Sequence, residues 1–221
     1  MKLKPEGLRG CSLIWALLLL AVPAKAPPLL ASQAIRLLPE ESRLVERGEV
    51  VLRELTTREN RATTVEALAR IAAPRRIVVQ VLTEYEQYPE FLPNVSRVEV
   101  LEQTGNRTVL NYTLSLPLGT TKKYRLEIDL RRAGKNLTRL GWEMVDWPGL
   151  PPEQTIEDTS GYWKIEQDRP ESCLVLYHVS TDPGPVPFGL GWVVDMLRKN
   201  NVPEVVRATR ERAETRHEAE D

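Results

Sequence analysis

The feature that most constrains the fold is a long stretch of alternating apolar and polar residues in the second half of the chain. From Asn94 to Thr181 the pattern repeats every two residues and is interrupted by short turn sequences and by one Pro-rich segment, 147–157. Strands place successive side chains on opposite faces, so this pattern predicts a series of about six antiparallel strands with one apolar face. The segment 123–131 is the clearest example, because every second residue is apolar and the residues between them are charged.

Patterns on either side of this stretch complete the predicted fold. Residues 49–57 and 63–72 alternate in the same way and predict a hairpin. Pro74 opens a segment with apolar residues at helical spacing, a broken helical turn follows it, and an apolar stripe beyond Pro187 predicts a long C-terminal helix. A one-faced sheet needs a cover, so we expect an α+β fold. Its curved antiparallel sheet of about six to seven strands wraps around the C-terminal helix, with two short helices after the first strand.

The N-terminus predicts a secretory signal peptide. Lys2, Lys4 and Arg9 precede the apolar run 13–22, which is shorter than the roughly 20 residues that a transmembrane helix needs. A basic start, a short apolar centre and small residues at a cleavage site are typical of export, so we predict a signal peptide over residues 1–26. The protein is then expected to be exported, in a bacterium to the periplasm. The alternative is that the N-terminal segment stays uncleaved as a membrane anchor.

The rest of the chain divides into three predicted parts. Residues 27–48 are interpreted as a linker or loosely attached arm, residues 49–212 as the folded domain and residues 213–221 as a charged, solvated tail. Without the signal peptide the chain is mildly acidic, which disfavours nucleic acid as a partner. Cys173 is then the only cysteine, so neither an internal disulfide nor a zinc cluster is expected, and no cofactor is predicted.

An aromatic turn lies between the first predicted helix and the sheet. Proline interrupts this segment at positions 89 and 93 and breaks the helix there. Tyr88, Phe91 and Leu92 are candidate ligand-binding residues, because such a segment can form a lid over an apolar cavity. The alternative is a hydrophobic plug of the core, which uses the same residue types.

A second group of candidates consists of aromatic residues expected to point inward. Tyrosine and tryptophan carry a polar group on a large apolar body, which suits a wall that meets both ligand and water. For any one of them a place in the plain core is the alternative. The candidates on the strands are Tyr112, Tyr124, Trp142 and Trp163, and those on the last helix are Trp192 and Met196.

The sequence contains no evident catalytic set. His178 is expected in the last strand, where a general base would need an orienting partner, and a structural role is the preferred interpretation. Carboxylates flank the Pro-rich segment 147–157, and paired carboxylates can perform acid–base chemistry only at the right separation. Surface charge is the preferred interpretation of these four residues, Glu143, Asp146, Glu157 and Asp158.

Several short segments resemble those of a known superfamily. Residues 73–74, 81–83 and 85–93, the last reading Tyr-Glu-Gln-Tyr-Pro-Glu-Phe-Leu-Pro, resemble the opening of START-like helix-grip (SRPBCC) proteins. Gly161-Tyr162-Trp163 and Asp182-Pro183-Gly184 agree with this resemblance, which spans roughly Glu49 to Arg212. The most similar branch is the coenzyme Q-binding and polyketide cyclase/dehydrase and lipid transport group. The resemblance implies a sheet around a C-terminal helix, with a tunnel for an apolar ligand.

Three hypotheses for the function follow. The first is an exported binding protein that holds an apolar small molecule, such as a lipid or quinone, and makes transient contact with a membrane. The second is an enzyme of the polyketide cyclase or aromatase type, which uses a tyrosine, His178 or a carboxylate of the cavity. The third is a protein-interaction module. Because a fold of this kind hosts many activities, the site must decide among them.

Overall fold

The protein forms one eight-stranded antiparallel sheet. The computed structural model describes residues 34–55, 63–184 and 201–220. The spatial order of the strands is β1-β2-β8-β7-β6-β5-β4-β3, so β1 and β3 lie at the two edges. The strands are β1 Val51–Glu54, β2 Thr63–Ile71, β3 Val95–Thr104, β4 Arg107–Ser115, β5 Thr121–Arg132, β6 Leu137–Val145, β7 Asp158–Arg169 and β8 Ser172–Asp182.

The sequence predicts this architecture but not the number of strands. The curved antiparallel sheet, the α+β class and the C-terminal helix are confirmed. The expected six to seven strands are too few, because both arms of the N-terminal hairpin join the sheet. Strand β1 pairs with β2 from Val51↔Leu68 to Glu54↔Val65, and β2 pairs with β8 along its whole length. The two short helical segments therefore follow the second strand rather than the first.

Helices accompany the sheet at both ends of the described chain. The α-helices among the described residues are α1 Pro39–Glu46, α2 Arg75–Thr83 and α3 Val202–Glu220. Short 3-10 turns span Tyr85–Glu90, Pro117–Gly119 and Pro152–Gln154. Among the described residues, none of the helices has both the length and the apolar character required to cross a membrane. The predicted signal peptide, residues 1–26, lies outside the described residues.

Helices α2 and α3 cover the inner face of the sheet. Pro74 precedes α2 in an extended conformation, and one apolar stripe of α2 is buried against the strands. Small residues on β2, Ala67 and Ala69, are fully buried where α3 packs with Val206 and Ala213. Full burial of a valine, leucine or isoleucine stabilises a fold by about 1.5–3 kcal/mol. The stripe of α2, which consists of Ile77, Val78, Val81 and Leu82, is therefore a large part of what holds the layers together.

A second, smaller core lies on the opposite face of the sheet. We call it the outer core, and it consists of Val45 from α1, Leu68 from β2 and Leu174 and Leu176 from β8. Ile35, Leu37, Val51 and Tyr162 pack around it. Residues 34–48, which the sequence suggests are part of a linker or arm, therefore contain a helix that packs on the sheet.

Glu41 fixes α1 in place. Its side chain is only 6% exposed and accepts hydrogen bonds from Arg53 Nε at 2.7 Å and from the backbone nitrogen of Leu38 at 2.7 Å. Arg53 also binds Glu66 of β2 at 3.2 Å, which links the helix to the second strand. The hydrogen bond from Arg53 lowers the pKa of Glu41, so this carboxylate stays ionised at neutral pH.

The end of α3 is also fixed to the domain. The sequence suggests a charged, solvated tail from residue 213, yet α3 continues to Glu220 and Ala213 is fully buried. Arg212 donates to Glu90 at 2.7 Å and Arg216 donates to Glu84 at 2.6 Å. We call these two ion pairs the arginine clamp, because they tie α3 to the end of α2 and to the aromatic turn.

Candidate ligand-binding site

The two ends of the inner face differ in packing. At one end, which we call the packed end, Ile71, Ile128, Ile165 and Cys173 are all buried. The opposite end lies where β5 begins and where β4, β6 and β8 finish, and we call it the open end. Its inward-facing residues belong to the same apolar cluster but are only partly buried, and they include Leu114, Tyr124, Met144 and Tyr177.

One aromatic row runs from the turn onto the sheet. The ring of Phe91 contacts that of Tyr88 edge-on at 5.7 Å, and Tyr88 lies 6.2 Å from Tyr112. Tyr112 and Tyr124 are cross-strand partners on β4 and β5, and their rings stack at 5.5 Å with only 5° between their planes. Aromatic pairs of this kind contribute about 0.5–1.5 kcal/mol beyond their buried area, so the row forms a rigid wall.

A second aromatic row crosses β6, β7 and β8. The ring of Tyr177 lies 5.6 Å from that of Trp142 and 4.5 Å from that of Trp163. Trp142 can reach Tyr177 because Gly161 lies between them on β7. A Cβ on Gly161 would come within 2.3 Å of the Trp142 ring, so the glycine provides the space that the indole occupies.

The aromatic turn supplies both buried and partly buried residues to the inner cluster. Tyr88 is 5% exposed, and its hydroxyl donates a hydrogen bond to the carbonyl oxygen of Leu82 at 2.6 Å, so it closes the core above α2. Phe91 and Leu92 are partly buried against the same cluster. The guanidinium of Arg212 lies 5.7 Å above the Phe91 ring. The arginine clamp therefore holds the turn on its solvent side.

Three tyrosine hydroxyls are polar groups of the aromatic rows. Within the described part of the chain, the hydroxyls of Tyr112, Tyr124 and Tyr177 have no hydrogen-bond partner, whereas that of Tyr88 does. Burial raises the pKa of all three phenols, and the phenols raise one another's pKa further in Tyr112 and Tyr124. They therefore remain neutral hydrogen-bond donors throughout the physiological pH range.

Charged groups near the open end bind partners other than the apolar cluster. The described cluster that lines the inner face is apolar or aromatic, and three further side chains share that face at the open end: Thr159 and Thr181, which are cross-strand partners, and Lys122, which is the partner of Leu114. Lys122 lies at the start of β5, where its ammonium donates to the carbonyl oxygens of Glu153 at 3.0 Å and Thr155 at 2.7 Å. Arg212 is paired with Glu90. The inner face therefore offers a mainly apolar surface, and the ammonium of Lys122 beside it is bound to backbone carbonyls.

His178 lies on the other side of the sheet. Its neighbour Tyr177 points inward, so the alternation of the strand places His178 on the outer face. Its Nδ1 lies 3.1 Å from Glu66 Oε1, and its ring stacks on Tyr162 at 4.6 Å. The structure thus supports the structural interpretation of this histidine. A role as a general base inside the cavity, which the enzyme hypothesis considers, conflicts with this position.

Other candidate chemical groups give no catalytic arrangement. Glu143, Asp146, Glu157 and Asp158 are all exposed at the surface. Burial raises the pKa of the Cys173 thiol to about 12, so it is not a nucleophile at neutral pH. Within residues 34–55, 63–184 and 201–220, no group of three or more His, Cys, Asp or Glu residues could hold a metal ion.

The structure brings together most of the residues that the sequence singles out. Seven of them belong to one inner cluster, namely Tyr88, Phe91, Leu92, Tyr112, Tyr124, Trp142 and Trp163. Trp192 and Met196 lie outside the described residues. Sequence reasoning omits Tyr177, Met144 and Leu114 from the candidate site, although each follows the same alternation as its strand. That alternation is the signal that could have identified them.

Comparison with known proteins places this geometry in a family. The family described as polyketide cyclase / dehydrase and lipid transport matches residues 71–210. No curated protein sequence matches the chain.

Solved structures share the fold at low sequence identity. The STAR-related lipid transfer protein from Xanthomonas axonopodis has a TM-score of 0.66 at 18% identity, covering 74% of this chain and 93% of that one. The Zhui aromatase/cyclase from Streptomyces sp. R1128 has a TM-score of 0.58 at 17% identity, covering 70% and 95%. The human StAR-related lipid transfer protein 5 has a TM-score of 0.62 at 12% identity, covering 80% and 94%. The chain therefore belongs to the polyketide cyclase/dehydrase and lipid transport family, within the START-like helix-grip superfamily.

Proposed function

We propose that this protein is an exported binding protein that holds an apolar molecule, such as a lipid or quinone, at the open end between the sheet and α3. The family and fold are those of proteins that bind hydrophobic ligands. The observation that carries the proposal is the contrast between the two ends of one apolar face. Ile71, Ile128, Ile165 and Cys173 are buried at the packed end, whereas Leu114, Tyr124, Met144 and Tyr177 remain only partly buried. Apolar side chains that stay accessible on a concave face are typical of ligand sites.

A pair of arginine substitutions tests the location of this site. Leu114→Arg places a charge at the open end, and Leu101→Arg places the same charge at the exposed edge strand, where Leu101 is 44% exposed. Native mass spectrometry and uptake of a fluorescent apolar probe measure binding, and circular dichroism verifies folding. We expect Leu114→Arg to abolish uptake and Leu101→Arg to leave it unchanged. Equal uptake by wild type and a folded Leu114→Arg variant would refute the site.

An enzyme of the cyclase or aromatase type is the second candidate function. The family description includes cyclases, and the phenols of Tyr124 and Tyr177 are neutral groups that could donate a proton to a bound enolate. Incubation with linear poly-β-ketone substrates, followed by chromatography of the products, distinguishes the two functions. A cyclised product that the Tyr124→Phe and Tyr177→Phe variants fail to form would favour the enzyme. Recovery of the unchanged poly-β-ketone would favour the binding protein.

Export and membrane contact belong to the same proposal. Lys2, Lys4, Arg9 and the apolar run 13–22 support a cleaved signal peptide. Expression in a Gram-negative host, cell fractionation and N-terminal sequencing of the mature chain test it. A mature N-terminus near residue 27 in the periplasmic fraction is expected. An intact N-terminus in the membrane fraction would instead favour the uncleaved anchor.

A further inference from the structure

The two edges of the sheet differ in how they are protected. An edge strand leaves backbone groups unpaired, and charged side chains or bulges protect such an edge from further pairing. Strand β3 has both devices. Its Arg97, Glu99 and Glu102 are exposed, and its pairing with β4 is irregular at residues 95–97 and 100–102. Strand β1, at the other edge, pairs with β2 in one continuous register and is therefore the edge that can accept another strand.

The backbone groups that β1 leaves unpaired belong to alternate residues. In an antiparallel pair, successive residues direct their N–H and C=O groups to opposite sides of the strand. The backbone nitrogen of Leu55 donates to the carbonyl oxygen of Thr64 on β2 at 2.9 Å, so residues 51 and 53 also point toward β2. Leu52 and Glu54 therefore point their backbone groups away from the sheet, and Val50, which packs on the inner cluster, continues the alternation.

Apolar side chains gather at this edge. Of the four large apolar side chains that are exposed in the described chain, three lie here and the fourth lies on β3. Leu52 lies within β1 and Leu55 directly after it, and they are 40% and 42% exposed. Leu38 is 54% exposed and belongs to the segment that Arg53 of β1 binds, through the carbonyl oxygen of Arg36 at 2.8 Å. An added strand would cover leucine side chains on both faces of β1.

The charges near this edge leave two groups without an ion pair. Arg53 is bound to the carboxylates of Glu41 and Glu66, so it does not act as a protecting charge. Glu54 is exposed, and its side chain makes no hydrogen bond or ion pair with another described residue. Arg210 of α3 donates to a backbone carbonyl at 2.8 Å, and no carboxylate in the described chain pairs with it. A suitable partner strand would bring opposite charges to both groups.

We propose that β1 pairs antiparallel with β1 of a second copy of this chain, about a two-fold axis through Leu52. The two Leu52 side chains then cover each other, and each Glu54 lies opposite Val50 of the other copy. The three facing pairs form about six backbone hydrogen bonds, two for each pair. Because β3 is protected, each copy offers one edge, so the assembly closes as a dimer in which the two sheets are continuous.

Charge complementarity favours a second copy over an unrelated strand. In this register Glu54 lies diagonally across from Gly48 of the other copy, at a separation that long side chains can bridge. Arg210 of that copy is bound to the carbonyl oxygen of the same Gly48, on the inner side of the sheet that Glu54 also faces. The two groups that lack an ion pair within one chain therefore meet across the axis, twice by symmetry. This dimer is independent of the ligand at the open end.

Single cysteines test the register. Facing Cα atoms of a hydrogen-bonded antiparallel pair lie about 5.5 Å apart, which a disulfide can bridge. On a Cys11→Ser background, with Cys173 buried, Leu52→Cys should form a disulfide-linked dimer under mild oxidation. Glu54→Cys is the matched control, because it is exposed on the same face of the same strand. Its own counterpart is displaced by four residues, or about 13 Å along the strand, so it should stay unlinked.

Sedimentation equilibrium of the purified protein tests assembly without cross-linking. An interface of this size is weak, so the measurement extends to about 0.5 mM, where we expect a concentration-dependent dimer. Leu52→Lys places two ammonium groups opposite each other on the axis and should weaken the dimer by at least about tenfold. Leu101→Lys, on the protected edge, should dimerise like the wild type, and circular dichroism verifies that both variants fold.

Three results would overturn this dimer. The first is a wild-type protein that stays monomeric over the whole concentration range, whether or not another protein pairs with its edge. The second is equal cross-linking of Leu52→Cys and Glu54→Cys, which would show random collision rather than the proposed register. The third is a dimer that a folded Leu52→Lys variant forms as strongly as the wild type, because β1 would then not be the interface.

Discussion

The substitution Gly161→Ala tests whether the second aromatic row is as tightly assembled as the structure shows. Gly161 faces Trp142 on β6 and Val179 on β8. A Cβ at this position would lie 2.3 Å from the carbonyl oxygen of His178 and 2.3 Å from Cζ2 of Trp142. Ordinary van der Waals contacts of a Cβ begin at 3.4 Å, so both neighbours would have to move by about an ångström.

The cost follows from which atoms must move. Overpacking of a core costs about 1–3 kcal/mol, and the upper half of that range applies because one of the two atoms belongs to the backbone of a paired strand. A loss of about 2–3 kcal/mol lowers the melting temperature of a domain of this size by about 4–12 °C. Urea denaturation followed by tryptophan fluorescence measures the free energy of unfolding, and the spectrum of the native variant reports the displaced Trp142.

Gly141→Ala is the matched control for this experiment. It lies on the neighbouring strand, and the closest atoms to its added Cβ all belong to the guanidinium of Arg139, with Nη1 at 2.3 Å. A flexible arginine can move aside at little cost, so we expect a change below about 1 kcal/mol. If Gly161→Ala changes the free energy of unfolding by less than about 0.5 kcal/mol, or no more than the control does, the reasoning is wrong.

Further predictions concern a hydrogen bond, a carboxylate and a thiol. Tyr88→Phe removes the donor to Leu82 and should reduce the free energy of unfolding by about 1 kcal/mol in urea titrations; an unchanged value would contradict the sealing role. The pKa of Glu66 is lowered, chiefly by its hydrogen bond with His178. It therefore stabilises the fold above pH 4.5 and loses that contribution as the pH falls below this value. Thermal melts of Glu66→Gln should accordingly show a flatter acid limb than those of the wild type. Cys173, with its pKa at about 12, should resist iodoacetamide at pH 8 in the native protein and react once the protein is unfolded, as measured by mass spectrometry; rapid native labelling would refute its burial.

The inner face could be predicted because its pattern is local. The alternation of apolar and polar residues indicates the orientation of each strand from β4 to β7, so Tyr112, Tyr124, Trp142 and Trp163 could be assigned to one face without coordinates. The difference in side-chain burial between the two ends of that face could not be predicted from the sequence. Whether a side chain such as Leu114 stays accessible depends on how two layers fit, and sequence spacing carries no such information.

The outer core was missed although the sequence contains a signal for it. Residues 173–176 form a continuous apolar run, which is typical of a strand covered on both faces. Leu174 and Leu176 point away from α3 and need a cover of their own, and α1 supplies it with Val45. A short helix in a mixed segment is recognisable as that cover only when its target is known.

The charged end of α3 was also mispredicted, here because the sequence contains no signal for its contacts. Composition favours a solvated tail, because arginine and glutamate dominate the sequence there. The partners of Arg212 and Arg216 lie 122 and 132 residues away in the chain, on Glu90 and Glu84. No periodic pattern encodes such distant pairs. The sequence alone therefore does not distinguish a charged helix face that packs on the domain from one that faces solvent.

The two halves of α3 are held by different kinds of contact. Arg216 and Arg212 hold the second half of the helix against α2 and the turn, while its first turn, with Val202 and Val205, lies over the partly buried apolar cluster. The only described contact that holds the residue before this turn by its side chain is the hydrogen bond between Asn94 and Asn201, at 2.9 Å. Ion pairs thus secure the second half of α3, whereas its first turn relies on the apolar packing of Val202 and Val205, so that salt should weaken the attachment of the two halves unequally.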